Sequence, residues 1–434
     1  MKTMIVGSGV SGRAVYDYLK LNGIDCFYAD EKLINEEKLN KDKFDDLIKD
    51  VDRVVVSPGI SLKKDLIFQI KKKRIAFFGE LEFGTSKIKN DIIAVTGTNG
   101  KTTTVSLIYY LLKNFFGGVE IGGNIGIPVS SLIDKLFGDE IVVLECSSFQ
   151  LETIIKFRPH IAVILNITED HLNRHKTIRE YIRCKYKITK NQLSSDYLIL
   201  NADDEIIRKN PPKTKAQILY FSTKRKVIGV YIRDNYIFYY DGECEEKLIS
   251  ISKIQLKGEH NLSNALAAIL SVYLETKNKS MLENIFGFKG VSHRIEFVKK
   301  INGVEFYNDS KGTNIASTLV ACWSFKQRIF LILGGSDKGF CYDDLIEKLP
   351  KNVYKIALFG ENKNKIAFSI KKFNFNNYYI CNTLDECVDV LFRDCLPGDV
   401  VLLSPASASF DQFSNYEERG NFFKKIVFNL DKNK

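Results

Sequence analysis

The chain has 434 residues, enough for about three domains, and its 45% hydrophobic and 27% charged residues are typical of a soluble globular protein. The net charge of +10 is spread along the chain without an aromatic-interleaved basic stripe, so it fits small anionic substrates as well as a nucleic-acid partner and decides between them only with other evidence. No apolar run approaches the ~20 residues of a membrane span, and nine cysteines without a C-x-x-C pair indicate reduced thiols in a cytoplasm, with neither a zinc motif nor disulfides.

Short apolar runs recur along the chain, most of them closed by Gly, Asp, Asn or Ser and usually separated by helical patterns. This alternation predicts an α/β fold whose parallel sheets are covered on both faces. The runs are 4–6, 26–29, 54–56, 76–78, 92–95, 141–144, 161–165, 197–200, 304–307, 329–333, 356–359, 378–380 and 400–403. The segment 227–240 predicts a hairpin around Asp234-Asn235. We place domain boundaries near 87 and 290, which gives domains 1–87, 88–290 and 291–434.

The first strand leads into Gly7-Ser8-Gly9-Val10-Ser11-Gly12, and Asp30 ends the second strand. This is the G-x-G-x-x-G dinucleotide fingerprint with its acidic residue, in which glycines let a pyrophosphate approach a helix N-terminus. A tight turn without a ligand gives the same pattern. At this stage an NAD-dependent oxidoreductase remains an alternative function.

The run 92–95 leads into the segment 96–104, Thr-Gly-Thr-Asn-Gly-Lys-Thr-Thr-Thr, and then into a helical pattern. The segment predicts a phosphate-binding loop in which Lys101 reaches the β- and γ-phosphates and Thr102 holds Mg²⁺. It departs from the full Walker A pattern because Val95 stands where the first glycine would fall.

Polar side chains close the next two strands. Glu145 follows the run 141–144, where a carboxylate would stand beside the phosphate loop and ligate Mg²⁺. His171 lies in the polar loop after the run 161–165. Lys185 falls on the apolar stripe of a helix predicted from about 176 to 193, and periodicity alone favours a lysine whose head reaches water.

Eight segments together resemble the Mur ligases and, within that family, the D-glutamate-adding enzymes. They are GTNGKTTT (97–104), ECSSFQLE (145–152), NITEDHLNRH (166–175), LKGEHNLSNALAA (256–268), SHRIE (292–296), NDSKGTN (308–314), LGGSDKG (333–339) and SPASASFDQFSNYEERG (404–420). The nearest alternatives are sister ligases: the L-alanine-adding enzyme shares this type of first domain, and folylpolyglutamate synthase shares the nucleotide motifs. A nucleotide-binding regulator, which would form no ligation product, is an alternative from another class.

The resemblance implies three domains: a Rossmann-like N-terminal domain for the UDP substrate, a central P-loop ATPase-type domain for ATP, and a Rossmann-like C-terminal domain for the amino acid. It implies ATP- and Mg²⁺-dependent ligation of D-glutamate to UDP-N-acetylmuramoyl-L-alanine through an acyl phosphate, a cytoplasmic step of peptidoglycan synthesis. The partners of the chain would be these small molecules and not nucleic acid. The chain would be a monomer without a membrane span. The first domain would then bind UDP and not NAD.

The resemblance also assigns residues. Those expected to bind ATP are Gly97, Thr98, Asn99, Gly100, Lys101, Thr102, Thr103, Asn264, Arg294, Asp309 and Lys311. Those expected to bind the UDP substrate are Ser11, Asp30, Gly59, Asn124, Ser147 and Gln150. D-Glutamate would meet Thr313, Lys338, Ser409, Phe410 and Tyr416, the last standing where phenylalanine is expected.

Catalysis is assigned to Lys101, Glu145, His171 and Lys185, and the metal to Thr102, Glu145, His171 and Lys185, whose amine would carry carbon dioxide as a carbamate. From the residues alone, Asn264 could instead be a helix N-cap, and Arg294 and Lys338 ordinary surface charges. Glu31-Lys32 also differs from the usual uracil-contacting residues.

Overall fold

The computed structural model describes residues 1–29, 41–115, 117–256, 258–337 and 339–430. The chain forms two compact units, Met1–Ile254 with Ser263–Phe286, and Gln255–Leu262 with Gly287–Lys434. The first unit contains two sheets and the second contains one. The predicted boundary near 87 lies inside the first unit, so the division into three domains stays a prediction. In the part of the chain that the structure describes, no helix is long and apolar enough to cross a membrane.

The first sheet has four parallel strands in the order β2-β1-β3-β4. These strands are β1 Lys2–Val6, β2 Asp25–Tyr28, β3 Arg53–Val56 and β4 Ala76–Gly79. The helices around it are α1 Val10–Leu21, α2 Lys41–Leu47, α3 Asp65–Lys72 and α4 Glu80–Thr85. All four predicted strands of this segment are confirmed.

The second sheet has nine strands in the order β13-β12-β11-β10-β9-β8-β5-β7-β6. They are β5 Ile92–Thr96, β6 Val119–Gly123, β7 Ile141–Glu145, β8 Ile161–Ile164, β9 Tyr197–Asn201, β10 Gln217–Ser222, β11 Gly229–Arg233, β12 Tyr236–Tyr240 and β13 Glu245–Ser250. The predicted hairpin is confirmed as the antiparallel pair β11–β12, turning at Asp234 and Asn235, which both have positive φ. Strands β6, β10 and β13 were not predicted.

The helices near this sheet begin with α5 Lys101–Leu112, which follows β5 directly. The others are α6 Ser148–Leu151, α7 Leu172–His175, α8 Ile178–Tyr186, α9 Glu205–Lys209 and α10 Glu259–Thr276. Short 3-10 turns lie at Val129–Ser131, Ile133–Lys135, Lys187–Thr189, Ile251–Lys253 and Lys279–Gly287. The helix predicted from about 176 to 193 is therefore shorter than expected.

The sheet of the second unit has six strands in the order β14-β15-β19-β16-β17-β18, with only the β14–β15 pair antiparallel. They are β14 Glu296–Ile301, β15 Val304–Asn308, β16 Ile329–Gly334, β17 Val353–Phe359, β18 Tyr378–Ile380 and β19 Val400–Leu403. The helices are α11 Ile315–Trp323, α12 Asp343–Glu347, α13 Lys363–Lys372, α14 Leu384–Asp394 and α15 Tyr416–Leu430. Strand β14 was not predicted.

Both faces of the central strands are buried, as the continuous apolar runs predict. In β16, Leu331 and Leu333 join one core cluster, whereas Phe330 and Ile332 join the cluster on the opposite face. Successive strand residues point to opposite faces, so a strand can be apolar throughout only where both faces are covered. The α/β class with parallel-rich sheets is thereby confirmed. The carboxyl ends of β5, β7 and β8 lie at one edge of their sheet, because these strands pair in parallel.

Candidate active site

The phosphate loop joins β5 to α5 and needs glycine at its last position. Gly100 has φ +86°, a left-handed conformation, and a Cβ there would collide with the amide oxygen of Asn264. Asn264 is 5% exposed and lies inside α10, so the N-cap interpretation of this residue is wrong. The loop and Asn264 are in contact, as the ATP assignment requires.

Asn166 holds the loop from the neighbouring strand end. Its side-chain oxygen accepts from the Asn99 N–H at 2.8 Å, and its amide nitrogen donates to the Asn99 carbonyl at 3.0 Å. Thr98 accepts a hydrogen bond from the Tyr181 hydroxyl at 3.1 Å. No role is predicted for Asn166 from the residues alone, although its place at the start of NITEDHLNRH is a signal.

The two lysines of the site both contact the loop carbonyl groups. Lys101 Nζ donates to the carbonyl oxygens of Gly97 and Thr98 at 2.7 and 2.8 Å. Lys185 Nζ donates to the same Gly97 oxygen at 2.7 Å. The loop therefore holds two amines close together at the start of α5.

Lys185 is 1% exposed, so its head does not reach water and the interpretation that periodicity favoured is wrong. Its ammonium lies 4.6 Å from the centroid of the Tyr181 ring. Burial first, and then the charge of Lys101, hold the pKa of Lys185 well below its usual value. The neutral amine is the nucleophilic form of lysine, so this position suits a reactive lysine.

Glu145 ends β7 with both carboxylate oxygens engaged, and it is 3% exposed. Oε2 accepts from the Thr102 hydroxyl at 2.8 Å, and Oε1 accepts from the Asn124 amide at 2.8 Å. A hydroxyl beside a carboxylate, next to a phosphate loop, is the oxygen donor set that Mg²⁺ prefers. The buried Thr103 hydroxyl in the same helical turn has no hydrogen-bond partner. These residues fit a magnesium nucleotide.

His171 lies on the loop after β8 with φ +52°, and its side chain is 48% exposed. Its Nε2 is 3.6 Å from an oxygen of Asp170, and its ring centroid is 4.9 Å from that of Phe149. The structure thus joins Thr102 and Glu145 directly, and places His171 on a polar loop at the same edge of the sheet.

A cavity of about 590 Å³ opens beside the glycine turn after β1. It is lined by Gly7, Ser8, Gly9, Val10, Ser11, Ser57, Pro58, Gly59, Ile60, Gly123, Asn124, Gly126, Pro128 and Gln150. Four of the six residues assigned to the UDP substrate are among them: Ser11, Gly59, Asn124 and Gln150. The lining that the structure describes carries no charged side chain.

Ser147 and Gln150 form a capping box at the start of α6. The Ser147 hydroxyl accepts from the Gln150 N–H, and the Gln150 side-chain oxygen accepts from the Ser147 N–H at 3.0 Å. Gln150 therefore lines the cavity from a fixed position. Asp30, the sixth residue assigned to the UDP substrate, and Glu31-Lys32 lie outside the described residues.

In the second unit, Asp309 is 3% exposed and directly follows β15. Its carboxylate accepts from the Ser404 hydroxyl at 2.6 Å and from the Ile295 N–H at 3.2 Å. Burial raises the pKa of Asp309 to about 6, against the opposing effects of Ser404 and the Arg294 charge. Arg294 has a buried Nε without a hydrogen-bond partner, so it is more than an ordinary surface charge.

Residues assigned to different ligands meet at Tyr416, where α15 begins. Lys311 Nζ lies 5.2 Å from the centroid of the Tyr416 ring. Ser409 is 2% exposed, whereas the neighbouring Phe410 is 74% exposed and turns towards solvent. Thr313 is half-buried and its N–H donates to the Lys311 carbonyl at 2.9 Å. Lys338 lies outside the described residues.

No role is predicted from the sequence for Arg419, which lies in this second unit. Its guanidinium is fully buried and donates to the Ser310 hydroxyl and carbonyl at 3.0 and 2.8 Å. It also donates to the carbonyl oxygens of Ser407 and Ala408, each at 3.0 Å. Burial lowers its pKa to about 10, so it remains a cation that ties together the loops carrying Lys311 and Ser409.

Comparisons with known proteins identify the family of the chain. The Mur ligase middle domain matches residues 95–272, and the Mur ligase glutamate ligase domain matches residues 293–407. A UDP-N-acetylmuramoylalanine–D-glutamate ligase of Thermoanaerobacter sp. (strain X514) is 40% identical over 99% of this chain and 98% of its own. A ligase of the same name from Caldicellulosiruptor bescii is 41% identical over 98% of this chain and 97% of its own.

Solved structures share the fold. The UDP-N-acetylmuramate-alanine ligase of Thermotoga maritima superposes with a TM-score of 0.60 at 19% identity, covering 100% of both chains. The MurF ligase of the same organism, in complex with ADP, gives 0.60 at 19% identity over 91% of this chain and 94% of its own. From the two matching domains and the relatives at about 40% identity over nearly the whole length, the chain belongs to the Mur ligase family.

Proposed function

We propose that the chain ligates D-glutamate to UDP-N-acetylmuramoyl-L-alanine at the expense of ATP, a cytoplasmic step of peptidoglycan synthesis carried out by a monomer. The observation that carries the proposal is the hydrogen bond from Asn124 to Glu145. Asn124 lines the cavity beside the first glycine turn, and Glu145 touches the phosphate loop through Thr102. One amide thus links the cavity proposed for the UDP substrate to the residues proposed for the metal nucleotide.

The chemistry follows from the substrate. An amine cannot displace an oxygen from a carboxylate, so the carboxylate is first phosphorylated by ATP. Lys101 and the loop N–H groups would neutralise charge as the γ-phosphoryl group moves to that oxygen. The amine of D-glutamate then attacks the acyl phosphate, and the tetrahedral intermediate collapses to amide and phosphate. Mg²⁺ held by Thr102 and Glu145 would screen the phosphate charges.

Lys185 is proposed to carry a carbamate. Its amine is buried against the Gly97 carbonyl, and Tyr181 covers it. The neutral amine attacks carbon dioxide, one proton leaves, and the product is an anion with two oxygens. Such an anion would serve as a metal ligand together with Glu145 and His171, and a metal would in turn stabilise it.

The remaining assignments are proposed on the same grounds. We retain the division into domains 1–87, 88–290 and 291–434, with the first binding the UDP substrate and not NAD. Arg294, Asp309 and Lys311 are proposed as nucleotide contacts, supported by the unpartnered Arg294 Nε. The proposed D-glutamate contacts are Thr313, Lys338, Ser409, Phe410 and Tyr416, and the exposed Phe410 has the weakest support.

A coupled assay of ADP release tests the proposal. We expect turnover with UDP-N-acetylmuramoyl-L-alanine, ATP and D-glutamate together, and none when any one of them is left out. L-Glutamate is the matched control, because it differs only in handedness. Equal turnover with L-alanine on the unextended UDP-sugar would replace this function with that of a sister ligase. Tight NAD binding in calorimetry would contradict the role of the first domain.

A further inference from the structure

Three side chains outside the proposed machinery form a compact cluster in the first unit. The ligand atoms of Glu152, His175 and Cys184 all lie within 4.8 Å of one another. The residues come from the end of α6, the end of α7 and the interior of α8. His175 is 2% exposed and Cys184 is 8% exposed, so the imidazole and the thiol both lie inside the protein.

The contacts of both ring nitrogens orient the His175 ring. Nδ1 is 3.4 Å from Oε1 of Glu152, and Nε2 is 3.0 Å from the Ser148 hydroxyl. When Nε2–H donates to Ser148, the Nδ1 lone pair points to the cluster, which is how an outer partner orients a metal-binding imidazole. Arg174 holds Oε2 of Glu152 at 2.7 Å, so the other oxygen, Oε1, is the one turned towards His175.

We propose that this cluster binds a thiophilic divalent cation of the zinc class. The ligands are His175 Nδ1, Glu152 Oε1 and Cys184 Sγ, with solvent in the fourth position. A nitrogen, oxygen and sulfur set suits zinc, whereas Mg²⁺ takes oxygen ligands almost exclusively. On binding, the thiol proton passes to solvent, and the thiolate and the carboxylate balance the two charges of the cation.

The neighbouring cations set a limit on affinity. Arg174 pairs with Glu152, and Lys187 Nζ donates to the Glu152 carbonyl at 2.7 Å. Their positive charges oppose a second cation, so we expect binding weaker than at a structural zinc site. The cysteine spacing, which argued against a zinc motif, does not bear on this cluster, because its ligands meet only through tertiary folding.

The cluster is coupled to the ligase through α8, a consequence that rests on the proposed function. Cys184 immediately precedes Lys185, whose amine contacts the phosphate loop. Bonds of ~2.0–2.3 Å to one cation would draw the three side chains together and shift α8. Because a misplacement of ~1 Å can cost 10²-fold in rate, we infer that occupancy slows turnover by ~10–100-fold.

Cobalt(II) is the probe for the site, because a cobalt–thiolate bond gives a charge-transfer absorption in the near ultraviolet. Titration of the full chain should give a saturable band, and Cys184→Ala should abolish it while keeping the wild-type melting temperature. The matched control is the Cys244→Ala/Cys341→Ala double variant, which removes two exposed thiols and should keep the band. A missing band in the wild type, a band that persists in Cys184→Ala, or a band lost in the control would overturn the site.

The rate measurement tests the coupling. Zn²⁺ should slow ADP release by the wild type and leave Cys184→Ala unaffected. Equal inhibition of both proteins would overturn the coupling to α8. A chain without ligase activity would refute the proposed function instead, and the cobalt band would still decide whether the site exists.

Discussion

The first unit contains two glycine turns that each join a strand to a helix at the carboxyl edge of a parallel sheet. After β1, the turn from Gly7 to Gly12 opens onto a cavity of about 590 Å³, and none of its described lining residues is charged. After β5, the turn from Gly97 to Gly100 is surrounded by Lys101, Lys185 and the Thr102–Glu145 pair. The backbone scheme is similar in both, and because the surrounding side chains differ, we expect the two turns to bind different ligands.

Glycine is required in the two turns for different steric reasons. A Cβ at Gly12 would collide with the Gly7 carbonyl oxygen, so this glycine allows the helix to pack on its own turn. A Cβ at Gly100 would collide with Asn264, which belongs to a distant helix. A glycine fingerprint therefore shows where a ligand can approach the backbone, and the neighbouring elements decide which ligand it is. Asn124 connects the two turns, since it lines the cavity and binds Glu145.

The largest expected effect is on kcat, and it comes from a substitution at the second turn. Lys101→Ala should lower kcat by ~10²–10³-fold, since it removes one donor to the charge that develops in the transition state. The KM for the UDP substrate should change little, because Lys101 is not among the residues lining the cavity. Steady-state ADP release with varied UDP substrate measures both constants. Lys113→Ala, an exposed lysine just past α5, is the control, and a raised KM with normal kcat would contradict the assignment.

The next effect concerns the second amine at the phosphate loop. Lys185→Ala should lose activity on the order of 100-fold, the upper end of losses seen when metal-site partners are removed. Short-chain carboxylates should restore part of it by replacing the carbamate oxygens. With carbon-13 bicarbonate, the wild type should show a carbamate resonance that the variant lacks. Lys190→Ala, on the exposed side of the following turn, should behave as wild type, and wild-type turnover in Lys185→Ala would rule out the carbamate.

A smaller effect is expected on stability when two glycines of the first turn are replaced. Gly12→Ala should cost ~1–3 kcal/mol of stability, because the added methyl group overpacks against Gly7. Gly9→Ala is the matched control, since a Cβ there meets nothing within 4 Å. Thermal denaturation of both variants beside the wild type measures the difference. Equal melting temperatures for the two variants would show that the turn accommodates the added methyl group without loss of stability.

The smallest effect is a pH dependence confined to the second turn. The pKa of Lys185 is lower in the folded chain than in the unfolded chain, where it is near 10.5, so between the two values the unfolded state binds more protons. Stability should therefore rise with pH across this window, and Lys185→Met should remove that rise. We would compare melting temperatures at pH ~6 and ~9 in carbon dioxide-free buffer. Ser11→Ala, which removes a hydroxyl that does not titrate in this range, should follow the wild type. A Lys185→Met profile parallel to the wild type would contradict the shift.

The strands that were not predicted show where an apolar pattern fails to indicate a strand. Strands β6, β13 and β14 each lie at the edge of a sheet and carry charged or glycine residues, as in Glu-Glu-Lys-Leu-Ile-Ser of β13. An edge strand is only partly covered, so it needs no continuous apolar run. Strand β10 is internal and more apolar, and its Ile218–Phe221 stretch was a signal that went unused.

The sequence by itself determined the α/β class, fifteen of the described strands, the phosphate loop and the carboxylate at the end of β7, because each depends on residues close together in the chain. Only the tertiary structure decided that Lys185 is buried against Gly97, that Asn264 packs on Gly100 and that Asn124 binds Glu145. These contacts join residues from separate strands and helices. Periodicity gives the face of a helix on which a side chain lies, whereas the packing of other elements decides whether that face meets water.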